Sequence, residues 1–427
     1  MKRGSLIYQS YVSILKRELI CAMGCTEPIA VAYCAAVARA ALGEIPDRIE
    51  IAASGNIIKN VKSVVVPNTE GGRGIEVAAA VGVLGGDERA GLEVLSAVTK
   101  NTRNALPSYI QATPIFTVPL MSNHLLDIIV TVYRGNRYAK AHIVDEHTNL
   151  VLVECDNHII FEQSIDHSQT RPDETPDYTL LTVKDIYDFA SSCELEDIKD
   201  ILDQQIACNC AIAAEGLRHD YGANIGKLLL KINGEDVRAN AKAWAAAGSD
   251  ARMNGCELPV VINSGSGNQG LAASLPVIQY AKARNASMDL LYRALLVSNL
   301  VTLHEKASIG RLSAYCGAVS AGAGAGAGIA YLCGGTYEDI ANTITNALAI
   351  TSGIVCDGAK SSCAAKIAVA VEAGLFGYEM QKNGQVFSAG DGLVAEDVEA
   401  SIENFGRLGK IGMQETDREI ISIMTGQ

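Results

Sequence analysis

Apolar residues recur at helical spacing over residues 5–19, and again from residue 26 to about residue 42, where Gly43 ends the run. Thr26-Glu27-Pro28 marks the start of the second helix, with Thr as N-cap and an acid and a proline in the first turn. Two β-branched runs follow, residues 48–53 and 57–66, split by Ser54-Gly55-Asn56, which reads as an ordinary turn. Residues 75–84 and 88–104 have a helical pattern. Strand patterns return over residues 115–118, 125–133 and 137–144, the last two joined by a Gly135-Asn136 turn, and continue over 150–155 and 158–162. Residues 162–178 are polar, contain Pro172 and Pro176, and read as a linker. Beyond them the period is almost wholly helical: 183–191, 195–217, 222–232, 237–247, 271–283, 288–308, 316–333, 337–349, 364–380 and 395–402. The pattern therefore predicts an α+β chain. A mixed portion spans residues 1–165 and a predominantly helical portion spans residues 180–427, with the helices of residues 1–42 free to pack on the latter.

Composition sharpens this picture. The 427 residues suffice for two full cores. The chain is 48% hydrophobic but only 5% aromatic, so its core is built from Ala, Val, Ile and Leu, with 40 Gly permitting close backbone approach. A net charge of −13 argues against nucleic acid and anionic membranes as partners. The basic start Met1-Lys2-Arg3 is not followed by an apolar signal segment, because Gln9, Ser10, Ser13, Lys16 and Arg17 interrupt residues 5–19. The 12 cysteines then read as reduced thiols of a cytoplasmic protein, some of them metal ligands. The run 316–333 approaches membrane-span length, yet Gly and Ala dominate it, and it reads as a buried helix closely approached by others. A long Gly/Ala helix and an acidic surface are compatible with a homodimer without requiring one.

Chemistry concentrates at a few places. Cys316, Cys356 and Cys363 each lie in small-residue, nearly chargeless stretches. Three thiolates are one short of a closed four-iron cluster and would leave one iron with an open coordination position. Spacing alone favours the plainer reading of buried, inert thiols, and zinc is disfavoured because the paired short spacings of closed zinc sites are missing. Cys25 directly precedes the Thr26 cap, where a helix dipole favours thiolate and a general base; a packing cysteine is the alternative. Asn263-Ser-Gly-Ser-Gly-Asn-Gln-Gly270 opens directly onto a helical run and suits an anion such as a carboxylate. A pyridoxal phosphate site would need one Schiff-base lysine; Lys59, Lys306 and Lys360 lie near these segments, but none is distinguished, and they read as structural or surface lysines. His304-Glu305-Lys306 reads as a solvated helix end, Cys208-Asn209-Cys210 as structural, and His142, His147 and His158 as packing or surface residues.

Taken together, Met-Gly-Cys25-Thr-Glu-Pro-Ile-Ala, Ser264-Gly-Ser-Gly-Asn-Gln-Gly270, His304-Glu-Lys-Ala-Ser-Ile-Gly-Arg-Leu-Ser-Ala-Tyr-Cys316-Gly and Ser352-Gly-Ile-Val-Cys356-Asp-Gly-Ala-Lys-Ser-Ser-Cys363 resemble the L-cysteine desulfidase family, which is related to the alpha part of iron–sulfur L-serine dehydratases. The resemblance runs from about residue 15 to residue 410. It implies one [4Fe–4S] cluster per chain on Cys316, Cys356 and Cys363, a catalytic cysteine at Cys25, and a substrate loop with Ser264, Ser266 and Asn268. It also implies a small amino-acid substrate, with β-elimination from L-cysteine giving sulfide, ammonia and pyruvate. The same machinery would dehydrate serine or threonine. A non-catalytic amino-acid or cluster sensor is the alternative of another class, disfavoured because no basic helix-turn-helix is appended.

Overall fold

The computed structural model describes residues 1–164, 176–234, 236–310 and 312–426. Most of the expected linker, including Pro172, lies outside the described residues, as does Arg311. Helix α1 (Leu6–Glu18) begins at Ser5, whose hydroxyl accepts the Tyr8 N–H. A short strand β1 (Cys21–Met23) leads into α2 (Thr26–Leu42), whose N-cap is Cys25 rather than Thr26, and which ends at Gly43 in the left-handed region. Strand β2 (Arg48–Ala53) is followed by α3 (Gly55–Val61), α4 (Ile75–Gly85), α5 (Lys100–Ala112) and the strands β3 (Ile115–Pro119), β4 (Asp127–Arg134), β5 (Arg137–Val144), β6 (Leu150–Cys155) and β7 (His158–Glu162). Then come α6 (Val183–Ser192), α7 (Lys199–Arg218), α8 (Ile225–Asn233), α9 (Val237–Met253), β8 (Pro259–Val261), α10 (Gly267–Ala283), α11 (Met288–Ile309), α12 (Gly317–Leu332), α13 (Tyr337–Thr351), α14 (Cys363–Lys382), α15 (Val398–Arg407) and α16 (Gln414–Thr425).

Strands β3-β2-β4-β5-β6-β7 form one sheet in that order, with only β2 and β3 parallel. Alternate residues Ile49, Ile51, Ala53, Ile128, Val130, Val132, Ala139, Ala141 and Ile143 are fully buried on one face. Helix α2 lies on that face: the Cys34 thiol donates to the Ala141 carbonyl at 3.3 Å. Helix α1 turns the other way, and Tyr8 and Tyr11 pack edge-on against Phe189 of α6 at 5.2 and 5.3 Å.

In the helical portion α12 is central, and its sequence explains why. A Cβ on Gly322 would meet the Ala370 carbonyl at 2.2 Å, and one on Gly326 the Gly374 carbonyl at 2.5 Å. Two positions four apart therefore let α14 press backbone to backbone. A Cβ on Gly324 would strike the Thr302 hydroxyl of α11 at 2.3 Å. The alternating Gly/Ala run thus serves two close helix contacts. Among the described residues no helix is long and apolar enough to cross a membrane.

Several local expectations are corrected. The β-branched run 57–66 is not a strand: residues 55–61 are α3, because Ile57 and Val61, four apart, are both buried and tertiary packing overrides propensity. The segment 88–104 is mostly turn, with one short 3-10 helix at Gly91–Glu93, and α-helix begins only at Lys100. Helices α9 and α10 extend further than their apolar patterns, by six residues at the end of α9 and four at the start of α10. The strands β1 and β8, three residues each, were too short to carry a pattern. They pair antiparallel, Cys21 opposite Val261, and draw the start of α2 to the start of α10.

The last helix docks on α3 through a buried ion pair, Lys59 Nζ to Asp417 at 2.5 Å, with the lysine side chain 1% exposed. Breaking such a pair strands a charge, so Asp417→Asn should cost about 3–5 kcal/mol in urea unfolding. A loss under ~1 kcal/mol would mean that water reaches the Lys59 ammonium.

Candidate active site

The start of α2 and the start of α10 meet because β1 and β8 pair, and the Thr26 hydroxyl then donates to the Gly265 carbonyl at 2.9 Å. A second junction is built from loops. Tyr315 and Val355 form an isolated antiparallel bridge, the Cys316 N–H reaches the Ile354 carbonyl at 3.1 Å, and the Cys356 N–H reaches the Ala314 carbonyl at 2.6 Å. Cys316 is the N-cap of α12, and Cys363 is the first residue of α14. The result is a single cavity lined by Cys25, Cys316, Cys356 and Cys363, together with Glu27, Arg252, Ser266, Asn268, Gln269 and Lys366. Ser264 is elsewhere: its hydroxyl donates to Asn263 Oδ1, its φ is +51°, and it lines a neighbouring cavity with Arg17, Glu18, Tyr178 and Lys306.

The electrostatics of Cys25 run opposite to the helix-dipole expectation. Burial, and then the nearby Glu27 charge, push its thiol well above the ordinary cysteine range, against the opposing charge of Arg252. The thiol donates to Glu27 Oε2 at 3.0 Å, and Glu27 also accepts from Asn60 at 3.1 Å. Burial alone would raise the Glu27 carboxyl, but the charge of His147, the Cys25 hydrogen bond and Arg252 outweigh it and hold it below the usual carboxylate range. Both shifts favour the proton on sulfur and the charge on Glu27.

The three-cysteine wall is cushioned by cations. Burial and then the Cys356 thiol push Cys316 up to about 12, and burial is also the main cause of the raised Cys363 thiol. Lys366 stands beside them and donates to the Val355 carbonyl at 2.8 Å and to Asp357. Burial disfavours its ammonium, yet Asp357 and the Cys316 and Cys356 sulfurs outweigh that and raise its pKa. Lys360 pairs with Asp357 at 2.5 Å; against the effect of burial, the two lysines bring the Asp357 carboxyl down to about 2.

Three soft sulfur donors on one wall, in a small-residue surround with Gly317, Gly358 and Ala359, suit an iron–sulfur group, whose binding would deprotonate the thiols outright. Among the described residues no three His, Cys, Asp or Glu side chains converge on a single ion. A cubane is larger than an ion and asks its ligands to stand further apart.

Other sites are placed differently from expectation. Glu305 and Lys306 are buried within α11, not at a solvated end. Cys208 faces Cys21, sulfur to sulfur at 3.9 Å, away from the cavity. His142 pairs with Asp127 at 2.8 Å and His158 is exposed, whereas His147 is buried and its charge acts on Glu27. Sequence reasoning missed Glu27 as more than a helix-start acid, gave Gln269 no role of its own within the 263–270 loop, and missed Arg252 and Lys366 altogether. Arg252 left no trace, because it shares a helical face with Arg238, Lys242 and Ser249 and so reads as an ordinary polar-face residue.

Known proteins resemble this chain along most of its length. The family model described as serine dehydratase alpha chain matches residues 89–422, which include the three-cysteine wall and the start of α10. Cys25 and Glu27 precede that span. Relatives extend over the whole chain. A UPF0597 protein of Desulfitobacterium hafniense (strain Y51) is 54% identical over 427 residues, covering 100% of this chain and 99% of its own. A UPF0597 protein of Lachnoclostridium phytofermentans is 50% identical, covering 98% and 100%. A UPF0597 protein of Finegoldia magna is 47% identical, covering 97% and 99%.

Proposed function

We propose, from the premise that the chain belongs to the serine dehydratase alpha chain family, that it is an L-cysteine desulfidase, a lyase that removes the β-thiol of L-cysteine to give sulfide, ammonia and pyruvate. The family is one of iron–sulfur lyases of amino-acid catabolism; the carbon–sulfur specificity is our reading. The observation that carries it is the meeting of Cys25, from the N-terminal part of the chain, with Cys316, Cys356 and Cys363 in one cavity. That constellation accords with the motifs that resemble the desulfidases.

A [4Fe–4S] cluster held by the three thiolates would supply one iron able to act as a Lewis acid toward the leaving atom. The remaining work belongs to the chain. Cys25 is placed to take the α-proton, and Glu27, already accepting its S–H, is placed to draw off the thiol proton first. Forming that thiolate is costly, since burial of Cys25 and the Glu27 charge both oppose it. The ammonium of an incoming amino acid would offset the cost. The start of α10, with Ser266 and Asn268, faces the same space and offers backbone amides to a carboxylate. Loss of the α-proton and cleavage of the Cβ–S bond leave 2-aminoacrylate, which becomes an imine and hydrolyses to pyruvate and ammonia.

The family match favours one second reading, dehydration of L-serine at the same site. Anaerobic reconstitution with iron and sulfide, followed by pyruvate and sulfide assays, separates the two. We expect kcat/KM for L-cysteine to exceed that for L-serine by at least about tenfold. The reverse order would assign the dehydratase, and no product from any small amino acid would end the lyase reading.

A further inference from the structure

Arg252 stands out in the cavity for what it lacks. It closes the buried end of α9, is 2% exposed, and leaves Nε and Nη2 buried without a hydrogen-bond partner. Burying a guanidinium is expensive unless something satisfies it, and charge-assisted, bidentate pairing with a carboxylate is the interaction its fork fits best. Its neighbours are complementary. Gln269 Oε1 and Asn268 Oδ1 are also buried and unpartnered, both facing the cavity, and both can only accept. Two glycines keep these groups in place. A Cβ on Gly267 would lie 2.3 Å from Arg252 Nε, and one on Gly317 would lie 2.6 Å from the Gln269 carboxamide carbon. The space is therefore shaped around the guanidinium and the carboxamide.

We propose that Arg252 is the carboxylate anchor of this site and that Gln269 and Asn268 accept from the α-ammonium, so that the cavity selects a free amino acid with both ends unblocked. This rests on the reading of the cavity as an amino-acid site. It adds an element that the α10 amides alone do not supply: a fixed positive charge that sets which way the substrate lies. With the carboxylate on Arg252, the substrate lies in the same cavity that Cys25 and Glu27 line. Arg252 is thus a positioning residue, and its effect is on who binds and how.

The test is calorimetric binding to the full-length, iron-loaded protein under anaerobic conditions, with L-alanine, which has no β-leaving group, L-alaninamide and L-lactate as probes. Wild type should bind L-alanine at least about 100-fold more tightly than either analogue. Arg252→Gln should lose the preference for L-alanine over the amide while its weak amide binding stays, and Arg252→Lys should recover part of it. Gln269→Leu should narrow the gap between L-alanine and L-lactate only. If Arg252→Gln does not fold, Gly267→Ala, which displaces the guanidinium without removing it, should give the same selective loss. Equal wild-type binding of acid and amide, no wild-type binding of L-alanine, or a variant that weakens every probe alike would overturn the assignment. Turnover is not part of the readout. Arg252-dependent binding without sulfide or pyruvate release would sink the lyase reading and leave the anchor standing.

Discussion

Replacing Cys316, Cys356 or Cys363 singly with alanine should take reconstituted protein from about four irons per chain to below about one, with loss of its visible absorbance. The reason lies in the wall that holds them. Cys316 and Cys356 are tied to each other's strand by two backbone hydrogen bonds, and Cys363 is fixed at the first position of α14. None can move to replace a missing neighbour without breaking those ties. A fourth sulfur, Cys25, is engaged with Glu27. Cys256→Ala and Cys333→Ala, which change cysteines outside the cavity, should keep full iron and serve as controls. Iron analysis and the absorption spectrum read the result directly, and a triad variant with undiminished iron would leave the ligand set.

Cys25→Ser should behave in the opposite way, retaining iron and losing about 10²- to 10⁴-fold in kcat, the usual value of a positioned general base. The pH dependence follows from the direction of its shift. The folded thiol lies well above the ordinary range, so thiolate is scarce at neutral pH and grows as pH rises, and kcat/KM should climb into the alkaline region. Glu27 contributes to that elevation by its charge. Glu27→Gln removes the charge, lowers the thiol pKa, and should move the alkaline limb to lower pH whatever it does to the maximum rate. The rate of Cys25 alkylation by iodoacetamide, followed by peptide mass, should shift with pH in the same direction. A limb that stays in place in Glu27→Gln would show that another group titrates, and a fully active Cys25→Ser would remove Cys25 from the reaction.

Much of the architecture is written in local pattern. The strands over residues 137–144, 150–155 and 158–162 have the bounds that alternation predicts, and the helix from residue 288 extends one residue beyond its predicted end. The Gly/Ala run is the buried, closely approached helix its composition implies, and the division into a sheet-bearing portion and a helical portion follows from where the period changes. These features depend on residues a few positions apart, so the chain carries them without knowing its neighbours. Where tertiary contacts set the outcome, local pattern misled. Residues 57–61 have strand chemistry but lie as a helix, because two buried faces and the Lys59–Asp417 pair from the far end of the chain decide it.

The site divides in the same way. The motifs named the four cysteines that line the cavity, together with Ser266 and Asn268. Only the fold determined that Ser264 faces a different cavity and that Arg252, Gln269 and Lys366 join the group. It also reversed the electrostatics of Cys25. A helix start lowers a thiol pKa through nearby amides, but burial and a carboxylate at 3.0 Å act more strongly, and neither depth nor that approach can be read from residue order. Periodicity and caps belong to the sequence because they act along the chain. Charge environment, strand pairing and unpaired buried donors belong to the structure because they act across it.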